Sequence, residues 1–120
     1  MSYDKNNIFA KILRGEISCK KVFENKYVLS FYDINPKKKI HVLVIPKGEY
    51  TDLDHFNSEA SEVEIVEFNK SVTHIVKMLK ISSHENGYRV LSNIGLDGAQ
   101  EVPHLHYHIF GGEKIGKLGG

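Results

Sequence analysis

The segment from residue 104 to residue 110 alternates histidine with apolar side chains, in the order HLHYHIF. Side chains at every second position of a β-strand project from the same face, so this period predicts a strand. One face carries His104, His106 and His108, and the other carries Leu105, Tyr107 and Ile109. We expect the apolar face to pack into a core and the histidine face to look toward a pocket, a partner or solvent.

Two earlier segments predict a hairpin. Residues 27–33 have an alternating strand pattern, and residues 40–45 are rich in β-branched side chains and end at Pro46. The sequence NPKKK between them supplies a turn, so the two strands are expected to pair in an antiparallel manner. Residues 87–93, GYRVLSN, indicate a further strand, and a loop that contains glycines follows it.

The longest helical pattern covers residues 58–81, where apolar residues recur at steps of three and four positions. These residues are Ile65, Phe68, Val72, Ile75 and Leu79. Acidic residues that follow Ser58 complement the positive end of a helix dipole, so we expect the helix to begin there. A shorter pattern at residues 6–16 predicts an N-terminal helix that stops at Gly15. Antiparallel strands crossed by one long helix indicate an α+β fold.

Composition restricts the class of protein. A chain of 120 residues fits one domain, 1–120, and its formal net charge of +1 argues against nucleic-acid binding. The lysine run at 36–39 is interpreted as a solvated turn. The single cysteine, Cys19, suits a reducing compartment. The sequence has no signal-peptide pattern and no apolar run near the ~18 residues of a membrane helix. We therefore expect a cytoplasmic protein that binds no membrane.

The histidine row admits three interpretations: packing, metal binding or catalysis. Packing is a poor explanation for three imidazoles that lie opposite an apolar face. Metal binding is restricted because the α-carbons of His104 and His108 lie ~13 Å apart in a strand, too far for all three rings to share one ion easily. A site that combines two of these imidazoles with His41 stays open as an alternative.

Catalysis uses the row differently. A neutral imidazole is a nucleophile that titrates near neutral pH, so one histidine can attack phosphorus while its neighbours bind phosphate oxygens or transfer a proton. The residues just before the row suit a phosphate. Gly95 and Gly98 allow backbone N–H groups to approach an anion, and Asn93 and Gln100 offer amide donors.

Three segments together resemble the histidine triad superfamily, in the bacterial-like nucleoside phosphoramidase (Hint-type) branch. They are IFAKILRGEI, FYDINPKKKIHVLVIPK and GYRVLSNIGLDGAQEVPHLHYHIFGG, in that order. The resemblance implies an α+β fold with an antiparallel sheet of about five strands, one long helix and a short N-terminal helix. It also implies a homodimer and hydrolysis of purine nucleoside 5′-phosphoramidates and related acyl-adenylates.

In that family the middle histidine attacks the α-phosphorus, expels the amine and forms a nucleotidyl-histidine, which water hydrolyses. The matching nucleophile is His106, with His104, His108 and His41 as its helpers. Asp33 matches the acid that binds the ribose hydroxyls. The positions that match the apolar slot for the base are Ile8, Phe9, Ile12, Phe31, Ile34 and Leu43. The positions that match the phosphate site are Asn93, Ala99, Gln100, Glu101 and Val102. The resemblance implies no cofactor and no metal.

Some positions depart from the family pattern. Glu101 stands where animal-type members carry serine, and a carboxylate repels phosphate, so we expect it to point away or to bind a proton. The C-terminal segment lacks the tryptophan of animal-type enzymes, which leaves the preferred leaving group open. Asn7 and Ala10 occupy positions where some relatives have cysteines, so structural zinc is not expected.

Three alternatives to the phosphoramidase remain. A dinucleoside polyphosphate hydrolase is disfavoured because the neighbouring branch usually carries glutamine where Tyr107 stands. A non-catalytic module that binds purine nucleotides or a partner protein would bind without turnover. A metal protein would contain stoichiometric metal.

Overall fold

The computed structural model describes residues 2–117, which form a five-stranded antiparallel sheet with three helices. The strands are β1 (Lys21–Glu24), β2 (Val28–Tyr32), β3 (Ile40–Pro46), β4 (Arg89–Leu91) and β5 (Tyr107–Gly111), in the order β1-β2-β3-β5-β4. The helices are α1 (Ile8–Leu13), α2 (Leu53–Glu59) and α3 (Glu62–Met78). The predicted α+β class, the β2–β3 hairpin and the N-terminal helix are confirmed. No helix in this range is long and apolar enough to cross a membrane.

Both faces of the central strands are covered, each by a different part of the chain. Val42 and Val44 of β3 face α3, where they join a core that includes Phe68 and Ile75. The alternate residues Leu43 and Ile45 face the other side and form a second cluster. That second cluster contains Phe31 of β2 and Phe9 of α1. The short N-terminal helix therefore packs on the sheet face that also carries His41.

The predicted helix over 58–81 is wrong at both ends. Residues on either side of Ala60 belong to separate helices, since Ala60 is extended and ends α2. The α3 helix begins after Ser61, whose hydroxyl accepts from the Glu64 N–H while the Glu64 carboxylate accepts from the Ser61 N–H. This reciprocal pair is a capping box, and it outweighs the weaker signal at Ser58. At the other end, Lys80 has a φ of 60°, which is incompatible with a continuing helix.

The predicted strand over 104–110 begins later than expected, because β5 starts at Tyr107. Hydrogen bonds from outside the sheet hold the preceding residues. The His104 N–H donates to the carbonyl of Val102, and the Leu105 N–H donates to the carbonyl of Tyr50. The alternation of faces nevertheless persists, since Leu105 and Ile109 are buried in the core beneath α3. The strand β1 had no recognised sequence signal, and β4 is shorter than the predicted 87–93.

Candidate active site

Pairing of β3 with β5 brings two distant histidines together. His41 lies opposite Phe110 and His108 lies opposite Leu43, so the two histidines occupy neighbouring positions on one sheet face. Their rings meet with Nε2 of His41 2.9 Å from Nδ1 of His108. Asp33, which follows β2, places a carboxylate oxygen 3.4 Å from the same His41 nitrogen. The hairpin and the C-terminal strand therefore build one polar cluster from three separate segments.

The protons of this histidine pair follow from its hydrogen bonds. The backbone N–H of Lys37 donates to Nδ1 of His41 over 3.1 Å, so that nitrogen carries a lone pair and Nε2 carries the proton. The Nε2–H of His41 then donates to Nδ1 of His108. As a result, the proton of neutral His108 resides on its Nε2. Sequence analysis did not identify the Lys37 amide, because a backbone donor has no residue-type signature.

His106 is oriented by the main chain beside it. Its Nδ1 lies 2.8 Å from the carbonyl oxygen of His104, and a carbonyl only accepts, so Nδ1 carries the proton and Nε2 the lone pair. Every fully buried side-chain nitrogen or oxygen within residues 2–117 has a hydrogen-bond partner. Nε2 of His106 has no hydrogen-bond partner within the same residues, so this atom is not fully buried and reaches solvent. This arrangement presents an unshared electron pair to solvent.

His104 is completely buried and does not face the pocket. Its Nε2–H donates to the carbonyl of Pro46 over 2.8 Å, which leaves Nδ1 as an acceptor. The hydroxyl of Tyr3 lies 2.5 Å from that Nδ1. No local sequence pattern predicts this contact, since Tyr3 and His104 are 101 positions apart. The first histidine of the row is thus a structural support rather than a pocket residue.

Burial keeps the four histidines neutral. It lowers the pKa of His104 to about 4, and it lowers the pKa of His108 to about 4 with added repulsion from His106 and His41. Burial also lowers the pKa of His106, although the charges of Asp33 and Glu101 oppose this effect. The pKa of His41 is lowered by burial as well, against the charge of Asp33. At neutral pH the His106 imidazole is therefore in its nucleophilic form.

The residues expected to bind a base fall into two groups. Phe9, Phe31 and Leu43 are buried together, and the Phe9 and Phe31 rings meet edge to face at 5.7 Å. Ile12 packs at the margin of this cluster. Ile8 and Ile34 are instead 45% and 90% exposed. The structure thus provides a packed apolar floor, and it leaves two apolar side chains open to a planar ligand.

The packed floor adjoins His106. The ring centroid of Phe9 lies 5.0 Å from that of His106, with the rings at 74° to each other. On the other side, the His108 centroid is 5.1 Å from that of His106. His106 therefore lies between an apolar surface suited to a base and a polar pair suited to a leaving group.

The side chain of Gln100 holds the loop that was expected to bind phosphate. The Gln100 amide donates to the carbonyls of Thr51 and Val102, and its oxygen accepts from the Gly95 N–H. These groups therefore hold the loop and are not free for an anion in this conformation. Gly98 is required by close packing, since a Cβ there would lie 2.3 Å from the Ile94 carbonyl oxygen.

The remaining predicted phosphate residues flank this loop. Asn93 is half-buried at its start, and Ala99 has a φ of 58°, so its backbone is in the left-handed region. Val102 packs beside the Phe9 cluster. Glu101 is exposed, and its negative charge acts on the pKa of His106.

One group of potential metal ligands lies in the site, where Asp33, His41 and His108 place ligand atoms within 4.8 Å of one another. The hydrogen bonds do not suit a metal ion. The Lys37 N–H occupies the lone pair on Nδ1 of His41, so the nitrogen that faces the group, Nε2, carries a proton. A metal ligand must offer a lone pair there. The predicted alternative of two row histidines with His41 is therefore not supported by this arrangement.

Comparisons with known proteins agree with the fold and with the histidine row. The family model of the HIT domain matches residues 14–115. A 13.2 kDa HIT-like protein of Azospirillum brasilense is 50% identical over 117 residues, which cover 98% of this chain and 94% of the relative.

Two solved structures are similar throughout. A HIT family hydrolase from Legionella pneumophila superposes with a TM-score of 0.85 at 34% identity, covering 96% of this chain and 100% of that one. A histidine triad nucleotide-binding protein from Candida albicans superposes with a TM-score of 0.77 at 34% identity, covering 87% and 73%.

Proposed function

The chain belongs to the HIT domain family, and from that membership we propose that it hydrolyses the P–N bond of purine nucleoside 5′-phosphoramidates and related acyl-adenylates. The names of the solved relatives, a hydrolase and a nucleotide-binding protein, support the general class. The observation that carries the proposal is the His106 ring, whose Nδ1–H is held by a carbonyl while Nε2 has no hydrogen-bond partner within residues 2–117. An imidazole fixed in this way suits nucleophilic attack on phosphorus.

In the first step, Nε2 of His106 attacks the α-phosphorus and the P–N bond breaks. The leaving nitrogen takes the electron pair of that bond and needs a proton. The bound phosphate is negative, so it favours a second proton on His108, at Nδ1. The Nε2–H of His41 then gives up its bond to that nitrogen and donates to the Asp33 carboxylate, 3.4 Å away, which stabilises the cation through His41. His108 then donates its Nε2 proton to the amine and becomes neutral.

In the second step, water attacks the phosphorus of the nucleotidyl-histidine. His108 takes one proton from the water, and the hydroxyl group bonds to phosphorus as the bond to His106 breaks. His106 regains its lone pair, and the site returns to its starting protonation. The balance is one phosphoramidate and one water converted to one nucleoside monophosphate and one amine.

The base and ribose are assigned to the neighbouring surfaces. The apolar floor that contains Phe9 and Phe31 would hold the purine, flanked by the exposed side chains of Ile8 and Ile34. Asp33 follows the strand that carries Phe31, so its carboxylate can accept from ribose hydroxyls while the base stays on the floor. Apolar contacts discriminate weakly between purines, so the proposal does not extend to a preferred base.

We also propose that the protein is a homodimer. The outward side of α3 exposes Val63 and Val66 to 48% and 45%, and β4 is a short edge strand. Apolar residues on an outer helix face and an unpaired sheet edge both favour association. Sedimentation of wild type and Val66→Glu tests this assembly, and a wild-type monomer would contradict it.

The test of the reaction is mass spectrometry on protein quenched during turnover of adenosine 5′-phosphoramidate. Wild type is expected to gain one adenylyl group, and His106→Ala is expected to gain none. His84→Ala, which changes an exposed histidine, serves as the matched control and retains the adduct. Equal turnover by wild type and His106→Ala would contradict the nucleophile. Faster hydrolysis of a diadenosine polyphosphate than of the phosphoramidate would favour the dinucleoside polyphosphate hydrolase.

A further inference from the structure

Tyr3, near the N-terminus, contacts the first histidine of the row. Its hydroxyl lies 2.5 Å from Nδ1 of His104, and the two rings meet edge to face at 5.6 Å. The other ring nitrogen of His104 donates to the carbonyl of Pro46, so Nδ1 has no proton and the tyrosine hydroxyl is the donor. Burial raises the pKa of Tyr3, which keeps this hydroxyl protonated at neutral pH.

The segment that carries Tyr3 is held by α1. Asn7 caps this helix, and its side-chain amide donates to the carbonyl of Asp4 over 2.7 Å. Arg14 donates to the carbonyl of Lys5 over 2.8 Å from the other end of the helix. These two bonds fix the chain just after Tyr3. The tyrosine is therefore placed by the same helix whose Phe9 contacts His106.

We propose that Tyr3 is a positioning residue for the nucleophile and acts through His104; this role rests on the proposed function of His106. Tyr3 and Pro46 hold the His104 ring at its two nitrogens. The carbonyl of the same residue accepts from Nδ1–H of His106. A shift of His104 therefore moves the only hydrogen bond of the His106 ring within the described residues. Small displacements of a nucleophile lower the reaction rate strongly.

Removal of the hydroxyl has a specific consequence. His104 is completely buried, so in Tyr3→Phe its Nδ1 loses its donor at a position that water does not reach. A buried acceptor without a partner is unfavourable, and the ring is expected to move or to exchange its proton between nitrogens. A movement of the ring reaches His106 because it displaces the main chain of His104, whose carbonyl accepts from Nδ1–H of His106. Within residues 2–117, Tyr3 is not among the residues that pack on the apolar floor, and its hydroxyl bonds to His104 rather than to Asp33. The surfaces proposed to bind the base and the ribose are therefore not altered directly.

The experiment compares Tyr3→Phe with wild type and with Tyr50→Phe. Tyr50 also donates its hydroxyl, to Glu64 on the α3 side of the sheet, so the control loses a tyrosine hydrogen bond that involves neither His104 nor His106. For Tyr3→Phe we expect kcat on adenosine 5′-phosphoramidate to fall about tenfold with KM nearly unchanged. Long-range proton–nitrogen NMR should show displaced His106 ring signals in this variant alone, because the Nδ1–H bond to the His104 carbonyl changes its geometry.

Two results would overturn the role of Tyr3. One is a wild-type kcat together with unchanged His106 ring signals in Tyr3→Phe. The other is an equal loss of kcat in Tyr50→Phe, which would indicate a general loss of stability. The NMR measurement also separates this inference from the proposed function. If wild type does not hydrolyse the phosphoramidate, the proposed function fails, and the His106 ring signals of Tyr3→Phe decide the inference by themselves.

Discussion

The Nδ1 atom of His106 lies 2.8 Å from the carbonyl oxygen of His104, two residues earlier. Since the acceptor cannot donate, this one distance assigns the proton of the His106 ring and leaves Nε2 with its lone pair. The same bond makes the position of the His106 ring depend on that of His104. The chemistry of the row therefore depends on its internal order as well as on its composition.

Burial predicts that the pKa of His106 lies below the ordinary value of histidine. Its pKa is lowered, and those of His104 and His108 fall to about 4, each because burial disfavours the charged ring. An NMR titration of the free protein should find all three rings neutral at pH 6.5. A protonation midpoint for His106 at or above 6.5 would contradict the assignment of a neutral nucleophile.

The same burial predicts a loss of stability in weak acid. In the unfolded chain His104 binds a proton below about pH 6.5, whereas in the folded protein it does so only near pH 4. The contribution of neutral His104 to the free energy of unfolding is therefore complete above about pH 6.5 and is lost as the pH falls from about 6.5 to about 4. For this residue alone the free energy of unfolding should fall by about 3 kcal/mol across that window. Urea unfolding at several pH values measures the slope.

The carboxylate of Glu24 loses its contribution to the free energy of unfolding in a lower pH range. Hydrogen bonds from Lys21 and Lys47 hold the pKa of Glu24 at about 2, so its loss begins only below about pH 4.5. A free energy of unfolding that stays constant between pH 7 and pH 5 would therefore contradict the burial of neutral His104.

The assignment of His108 as proton donor predicts a dependence on the leaving group. His108→Asn should slow hydrolysis of adenosine 5′-phosphoramidate by about 10²- to 10⁴-fold, which is the usual range for general acid catalysis. A 4-nitrophenyl ester of AMP needs no proton on its leaving group, so His108→Asn should slow hydrolysis of this ester by less than about tenfold. His84→Asn is the matched control. Equal losses on the two substrates would show that His108 does not supply the proton.

The position of Asp33 predicts that it recognises the ribose. Wild type should bind AMP about 10- to 100-fold more tightly than 2′,3′-dideoxy-AMP, since bonds to a charged acceptor contribute strongly. In Asp33→Asn this difference should largely disappear. Calorimetry on both proteins with both nucleotides isolates the interaction between Asp33 and the ribose hydroxyls. Asp54→Asn, in the first turn of α2, is the control. An undiminished preference for the ribose hydroxyls in Asp33→Asn would assign that contact elsewhere.

The capping box predicts which serine stabilises α3. Ser61→Ala removes the acceptor for the Glu64 N–H and should lower the free energy of unfolding by about 1 kcal/mol. Ser58→Ala lies in the exposed last turn of α2 and should change it by less than about 0.5 kcal/mol. Urea unfolding of both variants measures the difference. A larger effect at Ser58 would restore the helix start predicted from the sequence.

Much of the local structure was predictable because side-chain polarity repeats with the period of the backbone. The alternation of Leu105 and Ile109 with the histidines identified the core face, and the steps from Phe68 to Ile75 identified the buried face of α3. The start of α3 was missed because a serine, a residue type that favours helix caps, stands at both position 58 and position 61. Only the reciprocal bond of Glu64 distinguishes the two.

By itself the sequence determined the α+β class, the hairpin and the row of histidines that marks the family, because those features are local patterns. Tertiary structure decided what each histidine does. It paired β3 with β5 to join His41 to His108, and it placed Tyr3 against His104 across 101 positions. Such contacts carry no local period, since they arise when the folded sheet buries polar rings that must then find partners.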